Sequence, residues 1–166
     1  MKLELKNIKH TAWASEETHC YQASLYVDGK PIAIVSNDGH GGCDRDYPHG
    51  NFRPPLKDFT DVGNDYRSVM RKVDVYFASL LKTNPCDIFP EGMEQTLEFW
   101  CADRVNDWLS ARELKSKLNK GFLYTFVKKE GVYGSKVRPS RVQKCVDVVL
   151  NDIPFEDALS LWKETA

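Results

Sequence analysis

Cys20-Tyr21-Gln22-Ala23-Ser24-Leu25-Tyr26-Val27-Asp28-Gly29-Lys30-Pro31-Ile32-Ala33-Ile34-Val35-Ser36 reads as a β-hairpin. The first limb, from about Thr18 to Val27, is rich in β-prone residues and partly alternates apolar with polar. Asp28-Gly29 supplies the two positive φ angles of a type I′ turn, whose twist matches the strands it joins. Pro31 to Ser36 is the return limb. Residues 2–9, with Leu3, Leu5 and Ile8 on one side, add a further strand. The N-terminal part is therefore expected to be an antiparallel meander.

The pattern changes after Ser36. Residues 37–55 hold four glycines and three prolines, which interrupt regular structure, so an irregular loop is expected there. Tyr66, Val69, Met70, Val73, Phe77, Leu80 and Leu81 then recur at spacings of three and four and predict an amphipathic helix capped by Asn64 or Asp65. Pro85 and Pro90 bracket a break. A second helix is expected from Glu91 to Leu118, with Met93, Leu97, Trp100, Cys101, Val105, Trp108 and Leu109 as its buried stripe. Its acidic residues come early and its basic ones late, which suits the helix dipole, and Gly121 stops it.

Phe122–Val127 reads as a strand, Glu130-Gly131 as a turn and Val132–Arg138 as its return. Ser140 is expected to cap a helix bearing Val142, Cys145, Val146 and Val149. Pro154 opens a last helix with Phe155, Leu159 and Trp162. The order predicts an α+β fold: an N-terminal β-meander, two central helices, a C-terminal hairpin and two short helices. At 166 residues one domain is expected over 1–166, with 1–56 and 57–166 as sub-parts.

Composition excludes several classes. No apolar run approaches the ~18 residues of a membrane span, and Met1-Lys2-Leu3-Glu4-Leu5-Lys6 lacks the apolar stretch of a signal peptide. The five cysteines, Cys20, Cys43, Cys86, Cys101 and Cys145, are odd in number and contain no CxxC pair. That favours a reducing, cytoplasmic setting, with Cys101 and Cys145 as small core residues. No GxSxG, HExxH, P-loop or GxGxxG signature is present, so no cofactor and no catalytic residue is assigned. Glu94 and Glu98 share a helix side, most simply as a solvated face.

Three features bear on function. Ser36-Asn37-Asp38-Gly39-His40-Gly41-Gly42-Cys43-Asp44 is a candidate ligand loop: glycine N–H groups can converge on an anion, with Asn37, Asp38 and His40 orienting it. The plainer reading is a tight strand exit built on Asx turns. His40, Cys43 and His49, with Asp44 or Cys20, offer zinc-type donors at a spacing unlike the standard fingers; the expectation is no metal. The third feature is charge. From Arg112 to Lys144 the net charge is +8, against −1 for the whole chain. Lys115, Lys117, Lys120, Lys128, Lys129, Lys136, Arg138 and Arg141 are the candidate contacts to phosphates or to an acidic protein, with Phe122, Tyr124, Phe126 and Tyr133 interleaved. The acidic remainder offers a further alternative, imitation of nucleic acid. No sequence feature specifies an oligomeric state.

The segment Glu17-Thr18-His19-Cys20-Tyr21-Gln22-Ala23-Ser24-Leu25-Tyr26-Val27-Asp28-Gly29-Lys30, continuing into Ser36-Asn37-Asp38-Gly39-His40-Gly41-Gly42, resembles a group of small bacteriophage and bacterial mobile-element proteins that carry no assigned activity. Gly121-Phe122-Leu123-Tyr124-Thr125-Phe126, after a charged helix, is also similar. The resemblance implies an accessory gene product, acting in a host cytoplasm by binding a nucleic acid or a host protein, rather than a housekeeping enzyme. The enzyme alternative is a small hydrolase or nucleotide binder centred on the Asn37–Gly42 loop.

Overall fold

The computed structural model describes residues 1–52, 62–80, 91–126, 129–139 and 146–165. The fold is α+β, and it divides into two compact units, Met1–Val105 and Asn106–Ala166.

The first unit contains a four-stranded antiparallel meander, β1 (Leu3–His10), β2 (Tyr21–Val27), β3 (Lys30–Asn37) and β4 (Arg45–Pro48), in that spatial order. The β2–β3 turn is the expected two-residue one: Val27 pairs with Lys30, and Asp28 and Gly29 have φ of 48° and 80°. Alternation on β2 buries Tyr21, Ala23, Leu25 and Val27, and β3 adds Ile32, Ala33 and Val35. β4 lies inside the stretch expected to be irregular, pairing Ala33 with Pro48 and Ser36 with Arg45. Its four residues carry one apolar side chain among charges, too short a pattern to register as a strand.

Two helices follow in chain order, α1 (Val62–Ala78) and α2 (Leu97–Lys120). Tyr66, Val73 and Phe77 of α1 are buried, as their spacing requires, and Phe77 meets Trp100 at 6.4 Å between ring centroids. The start of α2 lies at Leu97 and not at Glu91, because the Thr96 hydroxyl accepts the Phe99 amide and caps the helix there. Cys101 and Val105 are fully buried, as expected for the stripe.

The second unit holds a three-stranded antiparallel sheet, β5 (Phe122–Phe126), β6 (Lys129–Ser135) and β7 (Val146–Val149), in the order β6-β5-β7, and the helix α3 (Phe155–Thr165). Two expectations are corrected here. Phe126 pairs with Lys129, so Glu130-Gly131 lies within β6 and is not the turn. Gly131, at φ 101°, sits where the register slips between the Tyr124–Tyr133 and Phe126–Lys129 pairs, an irregularity that favours glycine. Val146–Val149 is a strand, not the end of a helix: Tyr124 pairs with Val149 and Phe126 with Val146. Four consecutive residues with three valines fit either period, and pairing with the free edge of β5 selects the strand. The rest of that expected helix, Ser140–Cys145, lies outside the described residues.

Leu114, Leu123, Leu150, Ala158 and Trp162 form the core of the second unit, with Leu118, Val132 and Phe155 packed against them. Gly121 ends α2 for a reason other than a left-handed cap. It is absent from the positive-φ glycines, and a Cβ there would come within 2.5 Å of the Ser135 carbonyl oxygen. Asn151 ties this corner together, accepting the Leu123 amide at 2.9 Å and donating to the Leu118 and Gly121 carbonyls at 3.3 and 3.1 Å. Those carbonyls are among the orphans of a helix C-terminus.

Candidate functional site

The glycine loop between β3 and β4 is held almost wholly by its own hydrogen bonds. Asn37 is buried, at 8% exposure. Its Oδ1 accepts the Thr18 hydroxyl at 2.7 Å and the Gly39 amide at 2.9 Å. Its Nδ2 donates to the Gly42 carbonyl at 2.8 Å and to Asp44 Oδ1 at 3.0 Å. All four hydrogen-bonding capacities of the amide are thereby engaged. The Gly39 carbonyl accepts the amides of Glu16, Glu17 and Thr18 at 3.0, 3.0 and 3.3 Å. Gly39 has φ 91°, and a Cβ on it would stand 1.9 Å from the Ala14 carbonyl oxygen, so only glycine fits. Asp38 pairs with Arg45 at 3.1 Å, and His40 Nδ1 with Glu16 Oε2 at 3.1 Å, both at the surface.

Beside this loop two buried tyrosines bond part-exposed or exposed carboxylates, a feature the sequence does not reveal. The Tyr21 hydroxyl donates to Asp44, and the Tyr66 hydroxyl donates to Asp46, so the entry to β4 is tied to β2 and to α1. Burial, with the Cys101 thiol and Asp44 nearby, raises the Tyr21 pKa strongly. Burial and the Asp46 bond raise that of Tyr66. The Cys101 thiol is pushed up to about 12 by burial, with Asp44 adding to the effect, so it is a protonated core thiol and not a nucleophile. Among the described residues, no three His, Cys, Asp or Glu side chains are grouped to hold a metal ion. Two of the zinc-type donors weighed in the sequence have other partners: His40 faces Glu16, and His49 Nδ1 accepts the Asn51 amide at 3.0 Å.

In the second unit, three of the candidate cations meet at one concavity. Lys117 and Lys120, on the last turn of α2, and Lys136, just past β6, surround a groove of about 380 Å³. Its apolar lining includes Phe122, Leu123, Val132 and Trp162. Gly134, paired with Leu123 across the sheet, leaves the groove open above that side chain. Lys117 Nζ lies 4.4 Å from the centroid of the Trp162 ring and 2.9 Å from Glu113. The basic last turn opposes the negative end of the α2 dipole, which stabilises it locally.

The remaining candidates lie elsewhere in this unit or beyond description. Lys115 packs over Phe155 at 4.8 Å, and Arg138 pairs with Asp152 at 2.6 Å while lying over Phe122 at 5.9 Å. Lys128 and Arg141 fall outside the described residues, as does the side chain of Lys129. Tyr124, Phe126 and Tyr133 pack on one another, with centroids 4.9 to 6.3 Å apart. The interleaved aromatics thus form a cluster of their own, while Phe122 contributes to the groove. Trp162, on the expected last helix, is core and groove wall together, because α3 packs beside Leu123.

No helix among the described residues is long and apolar enough to cross a membrane. Compared with known proteins, the chain matches no family model, no curated protein and no solved structure.

Proposed function

We propose that this chain is an accessory binding module whose working surface is the lysine-rimmed groove of the second unit, and that its partner is a nucleic acid. The convergence of Lys117, Lys120 and Lys136 on one open concavity carries the reading. Three ammonium groups around a groove neutralise phosphates without needing a fixed hydrogen-bond geometry. Phe122, half-buried in the lining, offers an apolar contact beside them. The pair that Lys117 makes with Glu113 is exposed and between residues i and i+4. Such pairs contribute about 0.3–0.5 kcal/mol, so a phosphate displaces the carboxylate at little cost. The resemblance of residues 17–30, 36–42 and 121–126 to small phage and mobile-element proteins agrees with such a role in a host cytoplasm.

The test is anisotropy of labelled single-stranded and duplex oligonucleotides titrated with the protein over a salt series. Binding that releases about three counterions gives a log–log slope near −2 on single strands. The double variant Lys120→Glu/Lys136→Glu is expected to lose at least about tenfold in affinity while melting within about 0.5 kcal/mol of the parent, since both lysines are exposed. Gly134→Leu fills the groove against Leu123 at an ordinary contact distance and is expected to weaken binding without charge reversal. Unchanged affinity in both variants, or binding indifferent to salt, refutes the reading.

A further inference from the structure

Trp13 is 88% exposed, the most exposed of the large apolar side chains among the described residues. It stands on a single 3-10 turn, Ala12–Ala14, between two alanines. That turn is fixed from below. The Thr11 amide donates to the Cys20 carbonyl at 2.9 Å. The Ser15 hydroxyl donates to the Thr11 carbonyl at 2.9 Å and accepts the Cys20 amide at 2.9 Å. Gly39, its carbonyl holding three amides of residues 16–18, closes against the Ala14 carbonyl with no room for a side chain. The β1–β2 connection, braced by the glycine loop, therefore presents an indole on a rigid base, and a preordered aromatic loses little entropy when it is buried in a partner. Two exposed acids follow it closely in sequence, Glu16, which faces His40 at the surface, and Glu17.

The groove of the second unit has the complementary character. It is apolar at the floor, ringed by lysines of a single sign, and its ~380 Å³ is at the small end of ligand pockets, room for one large side chain. A second concavity of about 340 Å³ in the first unit sets Asp28 among Lys30 and Lys72 and lacks that uniform sign. We infer that the groove receives Trp13 of a second copy of this chain, with Glu16 and Glu17 of that copy facing Lys117, Lys120 and Lys136. The contact joins two different patches, so it is head-to-tail: each copy offers one indole and one groove, and association continues past the dimer unless the ring closes. The inference shares its groove with the nucleic-acid reading and does not depend on it.

Sedimentation across a concentration series, without nucleic acid, tests it. The parent chain gains mass with concentration, and added salt weakens the association. Trp13→Ala and Lys120→Glu/Lys136→Glu each weaken self-association by roughly 30-fold or more, the loss of a central hot spot, while circular dichroism melts report both variants folded. An equimolar mixture of the two variants forms a one-to-one dimer and nothing larger, because one intact indole and one intact groove remain. A parent chain monomeric at every concentration, assembly that survives Trp13→Ala, or variants that stay monomeric when mixed would each overturn the inference. Oligonucleotide anisotropy on the same samples separates the two readings: loss of oligonucleotide binding with self-association intact counts only against nucleic acid.

Discussion

The Asn37–Asp44 loop and the lysine groove are both candidate sites in the sequence, and the structure treats them oppositely. In the loop the central polar group turns inward: Asn37 uses all its hydrogen-bonding capacity on Thr18, Gly39, Gly42 and Asp44, while Asp38 and His40 pair at the surface with Arg45 and Glu16. At the groove the charged groups turn outward around open volume. A run of small and polar residues is consumed by the cost of leaving buried polar groups unpaired. Lysines at the end of a helix meet no such demand, because water satisfies them. The comparison teaches that residue types mark a candidate site and that satisfaction of their bonds decides whether anything is left for a ligand.

The largest expected effect is at the hub of the loop. Gly39→Ala forces a Cβ into the Ala14 carbonyl at a positive φ and is expected to destabilise the protein by about 3 kcal/mol, read from a urea midpoint. A shift below about 0.5 kcal/mol would mean the loop yields easily and that its rigidity has been overstated. Next comes alkaline pH. Tyr21 and Tyr66 have pKa values raised above their ordinary 10.0, and Cys101 above its ordinary 9.0. The unfolded chain therefore releases these protons first. Their stabilisation is complete below pH 9, starts to fall as pH passes the unfolded values of 9.0 and 10.0, and goes on being lost up to the raised folded values, about 12 for Cys101 and higher still for the tyrosines. At pH 11 each tyrosine accounts for about 1.4 kcal/mol. Tyr21→Phe and Tyr66→Phe are expected to flatten the fall in denaturant midpoint; a slope unchanged in both would break the proposed ties to β4. The smallest effect belongs to the groove rim. Glu113→Gln frees Lys117 and is expected to change stability by under about 0.5 kcal/mol and to tighten oligonucleotide binding slightly. Weaker binding instead would show that Glu113 positions the lysine.

Much of the fold was legible because its signals are local. Asp28-Gly29 sits in the expected turn, and Val73, Phe77, Cys101 and Val105 are buried as their spacing requires. The failures share a cause. Arg45–Pro48 and Val146–Val149 are four-residue strands whose identity comes from the partner strands β3 and β5, and a window that short cannot show a period. Glu130-Gly131 carried turn chemistry, yet its positive φ served an irregularity inside β6.

The candidate sites were legible by type and not by place. Lys117, Lys120 and Lys136 were among eight basic residues of equal standing in the sequence, and only packing of α2 and α3 against β5 and β6 separates them from Lys115 and Arg138. Nothing in the sequence separates Trp13 from Trp100, Trp108 and Trp162, because a tryptophan is as readily core as surface. By itself the sequence determined the Asp28-Gly29 turn, the buried stripes of Val73, Phe77, Cys101 and Val105 and the distribution of charge along the chain, all of which depend on neighbours a few residues apart. Tertiary structure alone decided which polar groups are consumed and which cations share a groove. Those outcomes depend on contacts between residues such as Thr18 and Asn37, or Leu123 and Asn151, that only a folded chain brings within hydrogen-bonding distance.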